Sequence, residues 1–267
     1  MATSKINMFV KSDSFMHRLD PRTKLIWIPL GFMSVMFFNH PAYVGVILAI
    51  TIILSLSSKL PSKTYLTIIS TSLFIFLASV LIYPLYLKSG PHLFTFIGID
   101  YTLNSLLYAI AIGMRLMTMT SISMLIIMTT SSSNTILGLE QLGLPYKGAV
   151  ALSMMVRYLP TLIIEGNIIV EAQKCRALDL DHGNPIQRAR KYAPIIIPLF
   201  TRSFLLAKQL GLALDGRGFG IHNQRTHLVQ LNYEMRDKIF LIFWLIILVI
   251  AFLGRVTQFG VIMPSLV

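Results

Sequence analysis

From Leu25 to Ser58 the chain carries no Asp, Glu, Lys or Arg. As one helix this uncharged run would be about 51 Å long, against a bilayer hydrocarbon core of about 30 Å. The run must therefore fold back on itself. Asn39-His40-Pro41 is its only turn-like break, which predicts two short spans at 25–38 and 42–57. Each falls below the usual ~20 residues, so local bilayer thinning or extension through flanking residues is expected. Asp20-Pro21 fits the start of the first helix, with Asp as N-cap and Pro at the first helical position.

The same reading continues down the chain. Thr64–Leu87 is a third uncharged run, stopped by Lys88-Ser89-Gly90-Pro91. A fourth span is predicted at 104–129, with Arg115 as its one charge, ending in the polar stretch Thr129–Asn134. The fifth is Ile239–Leu253, after Lys238, followed by an uncharged tail from Val256 to Val267 that extends this helix or lies in the interface. The fold class expected is an all-α integral membrane protein. Its parts are the four spans of 1–130, a cytoplasmic region at 131–237, and a last span with tail at 238–267.

Composition agrees. Hydrophobic residues make up 55% of the 267 and charged residues 13%, about half the usual charge of a soluble domain. No cleavable signal peptide is expected, because a polar, basic leader precedes Leu25 with no small-residue cleavage pattern behind the first apolar run. The single cysteine, Cys175, excludes an internal disulfide framework and a thiolate metal site. The net charge of +12 does not point to nucleic acid, because the cations are interleaved with long uncharged runs and form no basic face. They report orientation instead. With the N-terminus inside, residues 1–24, 58–63 and 131–238 hold 20 of the 23 Lys and Arg, and the outside segments hold only Lys88 and Arg255. Over the short loops alone the split is 7 against 2. A plasma-membrane protein with its N-terminus in and C-terminus out is expected.

The long segment 131–237 is apolar for a loop. Val150–Val156 and Ile195–Leu214 resemble pieces of spans, yet Arg157, Glu165, Glu171, Arg202 and Lys208 interrupt them at helical intervals. Charges in lipid are costly. Amphipathic helices lying on the membrane or on partner proteins are therefore predicted at 146–158, 160–180 and 186–215, the last bending near Pro194 and Pro198. The breaks fall at Gly143-Leu144-Pro145, Asp181–Pro185 and Gly216–Gly220.

This segment holds a faint repeat. Ala172-Gln-Lys-Cys-Arg176-Ala177 matches Ala213-Leu-Asp-Gly-Arg217-Gly218, and each copy falls near the end of a predicted helix. A cation at a helix C-terminus suits the dipole. Small neighbours let another backbone approach and leave the guanidinium, a rigid fork of donors, protruding toward a carboxylate or helix carbonyls. Docking and ordinary helix termination with a Gly cap both fit these residues.

Other chemistry is thin. Asp215–Gly220 is glycine-rich, but no GxxxxGK[ST] occurs, so ATP hydrolysis by this chain is not expected. Asp179, Asp181 and His182 fit a solvated loop better than a metal site. His17, His40, His92, His182, His222 and His227 lack metal spacing. No catalytic residue, cofactor or metal is assigned. Arg115 is either functional or a bundle-facing Arg paired with a helix-end carbonyl or a partner. The methionines of the fourth span, Met114, Met117, Met119, Met124 and Met128, read as adaptable packing or as a surface that re-packs against different partners.

Several segments together resemble the transmembrane T component (EcfT/CbiQ family) of energy-coupling factor transporters. They are Met16-His-Arg-Leu-Asp-Pro-Arg-Thr-Lys24, Leu142-Gly-Leu-Pro145 with Arg157-Tyr-Leu-Pro160, Glu171–Asp179, and Leu214-Asp-Gly-Arg-Gly-Phe219. The likeness covers nearly the whole chain in order and spacing. Cys175 and Ala177 stand where the family's first motif usually has Ala and Gly, and Gly216 stands where the second has Ala. The resemblance implies a non-catalytic subunit coupling two ABC-type ATPases to one membrane S component that binds a vitamin or metal ion. Cys175, Arg176 and Ala177 would dock on one ATPase, and Gly216, Arg217 and Gly218 on the other. Two further readings stand beside it. A membrane-embedded transferase would need acidic metal motifs near span ends. A self-sufficient channel or carrier would need polar residues through its spans.

Overall fold

The computed structural model describes residues 12, 14–38, 40–58, 61–86, 92–96, 99–176, 178, 191–220 and 231–257. The elements run α1 (Phe15–Arg18), α2 (Pro21–Met36), α3 (Pro41–Ser57), α4 (Ser62–Tyr86), β1 (His92–Phe96), β2 (Ile99–Thr102), α5 (Leu103–Thr129), α6 (Ser132–Gln141), α7 (Tyr146–Cys175), α8 (Ala193–Gly216) and α9 (Met235–Val256). The architecture is that of an all-α integral membrane protein with one small hairpin, since helices satisfy their own backbone where water cannot. Five helices are long and apolar enough to cross a membrane: α4, α5, α7, α8 and α9. The 17-residue α3 falls short of that length, as does the 16-residue α2. These two helices fall where the sequence predicts the two short spans 25–38 and 42–57.

The early helices begin where their caps require. The Asp20 carboxylate accepts from Arg22 N at 2.9 Å, with Pro21 at the first helical position. His40 Nδ1 accepts from Ala42 N at 3.2 Å, with Pro41 behind it, so the predicted break is a new helix start.

The chain divides into two compact units. One takes in Gly143–Gln230; the other joins Met8–Leu142 to Leu231–Val267. In the second, α2 and α9 are sealed by Trp27 and Trp244, both fully buried. The Trp27 ring meets Phe240 edge-on at 5.3 Å and Trp244 at 5.4 Å. Glycines set the closest helix approaches, as small residues do where lipid removes most of the hydrophobic drive between helices. A Cβ on Gly31 would lie 2.9 Å from Ile122 Cδ1 of α5, and one on Gly113 would collide with Ser79 Oγ and Phe76 of α4. The outer side of α9 is bare hydrocarbon, with Ile239, Ile242, Leu245, Ile246 and Ile250 exposed.

Three expectations need correction. The stretch read as two helices, 146–158 and 160–180, is one helix, α7, which runs through Pro160 and ends at Cys175. Proline removes one backbone bond, yet the helix packs on α8 on both sides of it, with Met154, Tyr158 and Leu162 facing Ser203, Leu206 and Leu210. The helix predicted at 186–215 needs none over the described residues: α8 covers Ala193–Gly216, with Pro194 in its first turn and Pro198 inside it, and residues 186–190 lie outside the described residues. The polar stretch after α5 does not simply end a span. Ser131 caps a further helix, α6, by accepting from Asn134 N at 3.3 Å. The β1–β2 hairpin, paired antiparallel from Phe96↔Ile99 to His92↔Thr102, occupies a stretch for which only a break at 88–91 was anticipated.

Candidate functional site

Within the 143–230 unit α7 and α8 run antiparallel, and three contacts fix the register. Gln173 Nε2 donates to the Pro194 carbonyl at 3.2 Å. The Arg202 guanidinium donates to Glu165 Oε1 through Nη2 at 3.2 Å and Nε at 3.3 Å. Tyr146 lies against Phe219 at 5.7 Å between ring centroids. The C-terminus of α7 is therefore at one end of the pair and that of α8 at the other. A 30-residue helix is about 45 Å long, so the two ends are separated by tens of ångströms.

Arg176 caps α7 and Arg217 caps α8. The matched sequences fold into matched closures. Arg176 N donates to Gln173 O and Leu178 N to the same carbonyl, both at 3.1 Å. Arg217 N donates to Leu214 O at 3.1 Å and Phe219 N to that carbonyl at 3.0 Å. In the second copy Gly218 N also reaches Asp215 O at 2.9 Å. These are the six-to-one and five-to-two bonds of a Schellman cap. Gly218 takes φ +67°, the left-handed value that such a cap demands. Ala177, at the equivalent place in the first copy, lies outside the described residues.

Cys175, Arg176, Gly216 and Arg217 are all exposed. Nothing lies within 4 Å of a Cβ built on Gly216, so the side of the helix before Arg217 is open to an approaching surface. Among the described residues neither Arg176 nor Arg217 has a carboxylate within ion-pair distance, and both guanidinium forks are available for acceptors on another chain.

The structure adds residues that the repeat did not reveal. Tyr146, Ser153, Arg157, Leu214, Arg217 and Phe219 line a cleft of about 290 Å³ at the α8 end. Arg157 thus joins Arg217 in a doubly cationic, partly aromatic recess suited to an acidic side chain. In the sequence Arg157 shows as a charge interrupting an apolar helix and as the first residue of Arg157-Tyr-Leu-Pro160, and neither signal places it beside Arg217. Midway along the pair, a second cleft of about 220 Å³ is almost wholly apolar, lined by Met154, Met155, Tyr158, Leu162, Leu206 and Leu210.

Other candidates resolve differently. Arg115 Nη2 donates to the Phe38 carbonyl, past the end of α2, at 2.6 Å. This is the helix-end pairing anticipated as the plainer of its two readings. Asp179, Asp181, His182, His222 and His227 lie outside the described residues, as does the tail beyond Thr257. Among the described residues no three His, Cys, Asp or Glu side chains gather as metal ligands would.

Residues 12–228 match the CbiQ family, described as "Cobalt transport protein". The chain is 30% identical over 253 residues to the energy-coupling factor transporter transmembrane protein EcfT of Brevibacillus brevis, covering 92% of this chain and 96% of that protein. It is 31% identical over 245 residues to EcfT of Streptococcus thermophilus, with 89% and 93% covered. Against EcfT of Clostridium kluyveri it is 31% identical over 264 residues, with 94% and 96% covered.

Proposed function

This chain belongs to the EcfT/CbiQ family, the multi-pass transmembrane T components of energy-coupling factor transporters, and on that premise we propose that it transmits ATP-driven motion from two ABC-type ATPase subunits to one membrane S component during uptake of a vitamin or metal ion. The observation that carries this reading is the pair of matched caps. Two exposed arginines, each at the end of a helix closed by the same hydrogen bonds, stand at opposite ends of one antiparallel pair. Two separate ATPases would each meet one tip.

In this reading Cys175, Arg176 and Ala177 dock on one ATPase and Gly216, Arg217 and Gly218 on the other, with Arg157 deepening the second site. The apolar cleft between α7 and α8 supports contact with the S component. The chain itself performs no chemistry; hydrolysis belongs to the ATPases. The charge distribution supports a plasma-membrane orientation with the N-terminus and residues 131–237 in the cytoplasm and the C-terminus outside.

The test is a pull-down of the tagged chain from membranes, paired with the double variant Arg176→Ala and Arg217→Ala. The wild type is expected to bring down two ATPase chains and an S component. The double variant should remain in the membrane, release the ATPases and abolish uptake of the S component's substrate. Normal uptake by that variant would sink the docking role.

A further inference from the structure

The first turn of α2 holds a buried cluster that the proposed docking does not use. Thr23 is fully buried, Lys24 is 1% exposed, Asp237 and Thr129 are each 2%, and Asp20 is 5%. Asp237 Oδ1 accepts from Asp20 N at 2.9 Å and from Thr23 Oγ1 at 3.1 Å. Its other oxygen accepts from Glu234 N at the start of α9, at 3.0 Å. Lys24 Nζ donates to the Thr129 carbonyl at 3.1 Å.

Each bond falls at a helix end. Thr129 closes α5, where the last carbonyls lack intrahelical partners and attract a cation. Asp237 lies in the first turn of α9, where free N–H groups attract an anion. One turn of α2 thus serves the C-terminus of one helix and the N-terminus of another, far apart in the chain.

Those two termini bracket residues 143–230 in sequence. On the outgoing side, α5 leads into α6, and a Cβ on Gly138 of α6 would lie 3.1 Å from Pro21 Cβ and 3.2 Å from Leu25 Cδ1. On the returning side, Arg22 Nη2 donates to the Leu231 carbonyl at 3.4 Å. α6, which precedes residue 143, and Leu231, which follows residue 230, are therefore held by the same turn. Buried polar groups tied in this way rigidify a fold, because breaking any one bond leaves its partner unsatisfied in a medium without water.

We propose that the first turn of α2 is the anchor of the two segments that flank the coupling unit in sequence. Asp20, Thr23, Lys24 and Asp237 act as positioning residues that hold the end of α5 with α6, and Leu231 with the start of α9, on one rigid base. Reading 143–230 as the coupling unit rests on the proposed function; the anchoring itself does not.

The experiment uses the full chain with Cys175→Ala and spin labels at Ser133→Cys in α6 and Arg236→Cys in α9, both exposed and on the two flanking segments. Pulsed electron resonance gives the distance distribution between the labels. Lys24→Met, and separately Asp237→Asn, which sets an amide against Glu234 N, should at least double its width at unchanged helix content. Thr23→Val removes one hydrogen bond at nearly unchanged shape. It should give a smaller broadening, and it keeps the test decisive where the stronger variants fail to accumulate. An unchanged width in well-folded Thr23→Val and Asp237→Asn proteins overturns the anchor. Co-purification of ATPases with the wild type is scored separately, so failure of the docking reading and failure of the anchor give different results. Where the ATPases do bind the labelled Cys175→Ala parent, the variants should retain them to the same extent as that parent.

Discussion

The bundle helix α5 and the pair α7–α8 are all long and apolar, yet they use their apolar residues in opposite ways. The most apolar stretch of α5 is 44% buried within the chain; those of α7 and α8 are 6% buried each. α5 meets α4 at Gly113, against Ser79 and Phe76, and at Ala109, whose carbonyl accepts from Ser79 Oγ at 3.3 Å. α7 and α8 instead leave Met155, Ile168, Phe200 and Phe204 uncovered. The outer side of α9 is also uncovered, but it carries no charge between Lys238 and Arg255. Exposed hydrocarbon without charge suits lipid. Exposed hydrocarbon punctuated by Arg157, Glu165, Glu171, Arg202 and Lys208 suits protein partners better than lipid, which is the distinction that the proposed function uses.

The comparison can be broken most forcefully at its buried side. Trp27→Ala is expected to cost ~3–5 kcal/mol, seen as a large fall in the unfolding temperature of the detergent-solubilised chain. Phe204→Ala, at a ring that is 70% exposed, should leave that temperature within the small range typical of surface changes while reducing S-component capture. An equal loss of stability from both would erase the distinction. Next in size is the α8 cap. Gly218→Ala forces a side chain into the left-handed region and should cost ~1–2 kcal/mol, with ATPase retention falling in parallel. Gly216→Ala, in open space, should instead stabilise by up to ~1 kcal/mol through helix propensity. Smallest is the exposed pair: Glu165→Gln is expected to change stability by under ~1 kcal/mol, and a larger loss would mean that the α7–α8 register depends on that contact.

Much of this organisation was legible in the sequence because it is local. Asp20-Pro21 and His40-Pro41 announce helix starts through their own backbones, and Gly143 and Gly218 mark the ends through positive φ. The Arg176 and Arg217 repeat was visible because each cap closes through bonds between near neighbours in the chain. What stayed hidden is what depends on distant partners. Pro160 reads as a break until α8 packs across it. Arg157 looks like any surface charge until the end of α8 is brought beside it. The bonds from α2 to Thr129 and Asp237 join positions remote in the chain, and no local pattern foretells them. The β1–β2 hairpin has strands too short for alternation to stand out.

The matched caps on an antiparallel pair have a geometric consequence. Turning α7 onto α8 by half a revolution about an axis across their middle carries Arg176 onto Arg217 and each helix direction onto the other. The pair is thus a local pseudo-dyad written into a single asymmetric chain. Two bodies of one shape, themselves related by a twofold axis, would each find the same orientation of guanidinium and helix end. The departures from that symmetry, Cys175 against Gly216, Ala177 against Gly218, and Arg157 beside only one tip, are then the places where the chain can tell two similar bodies apart.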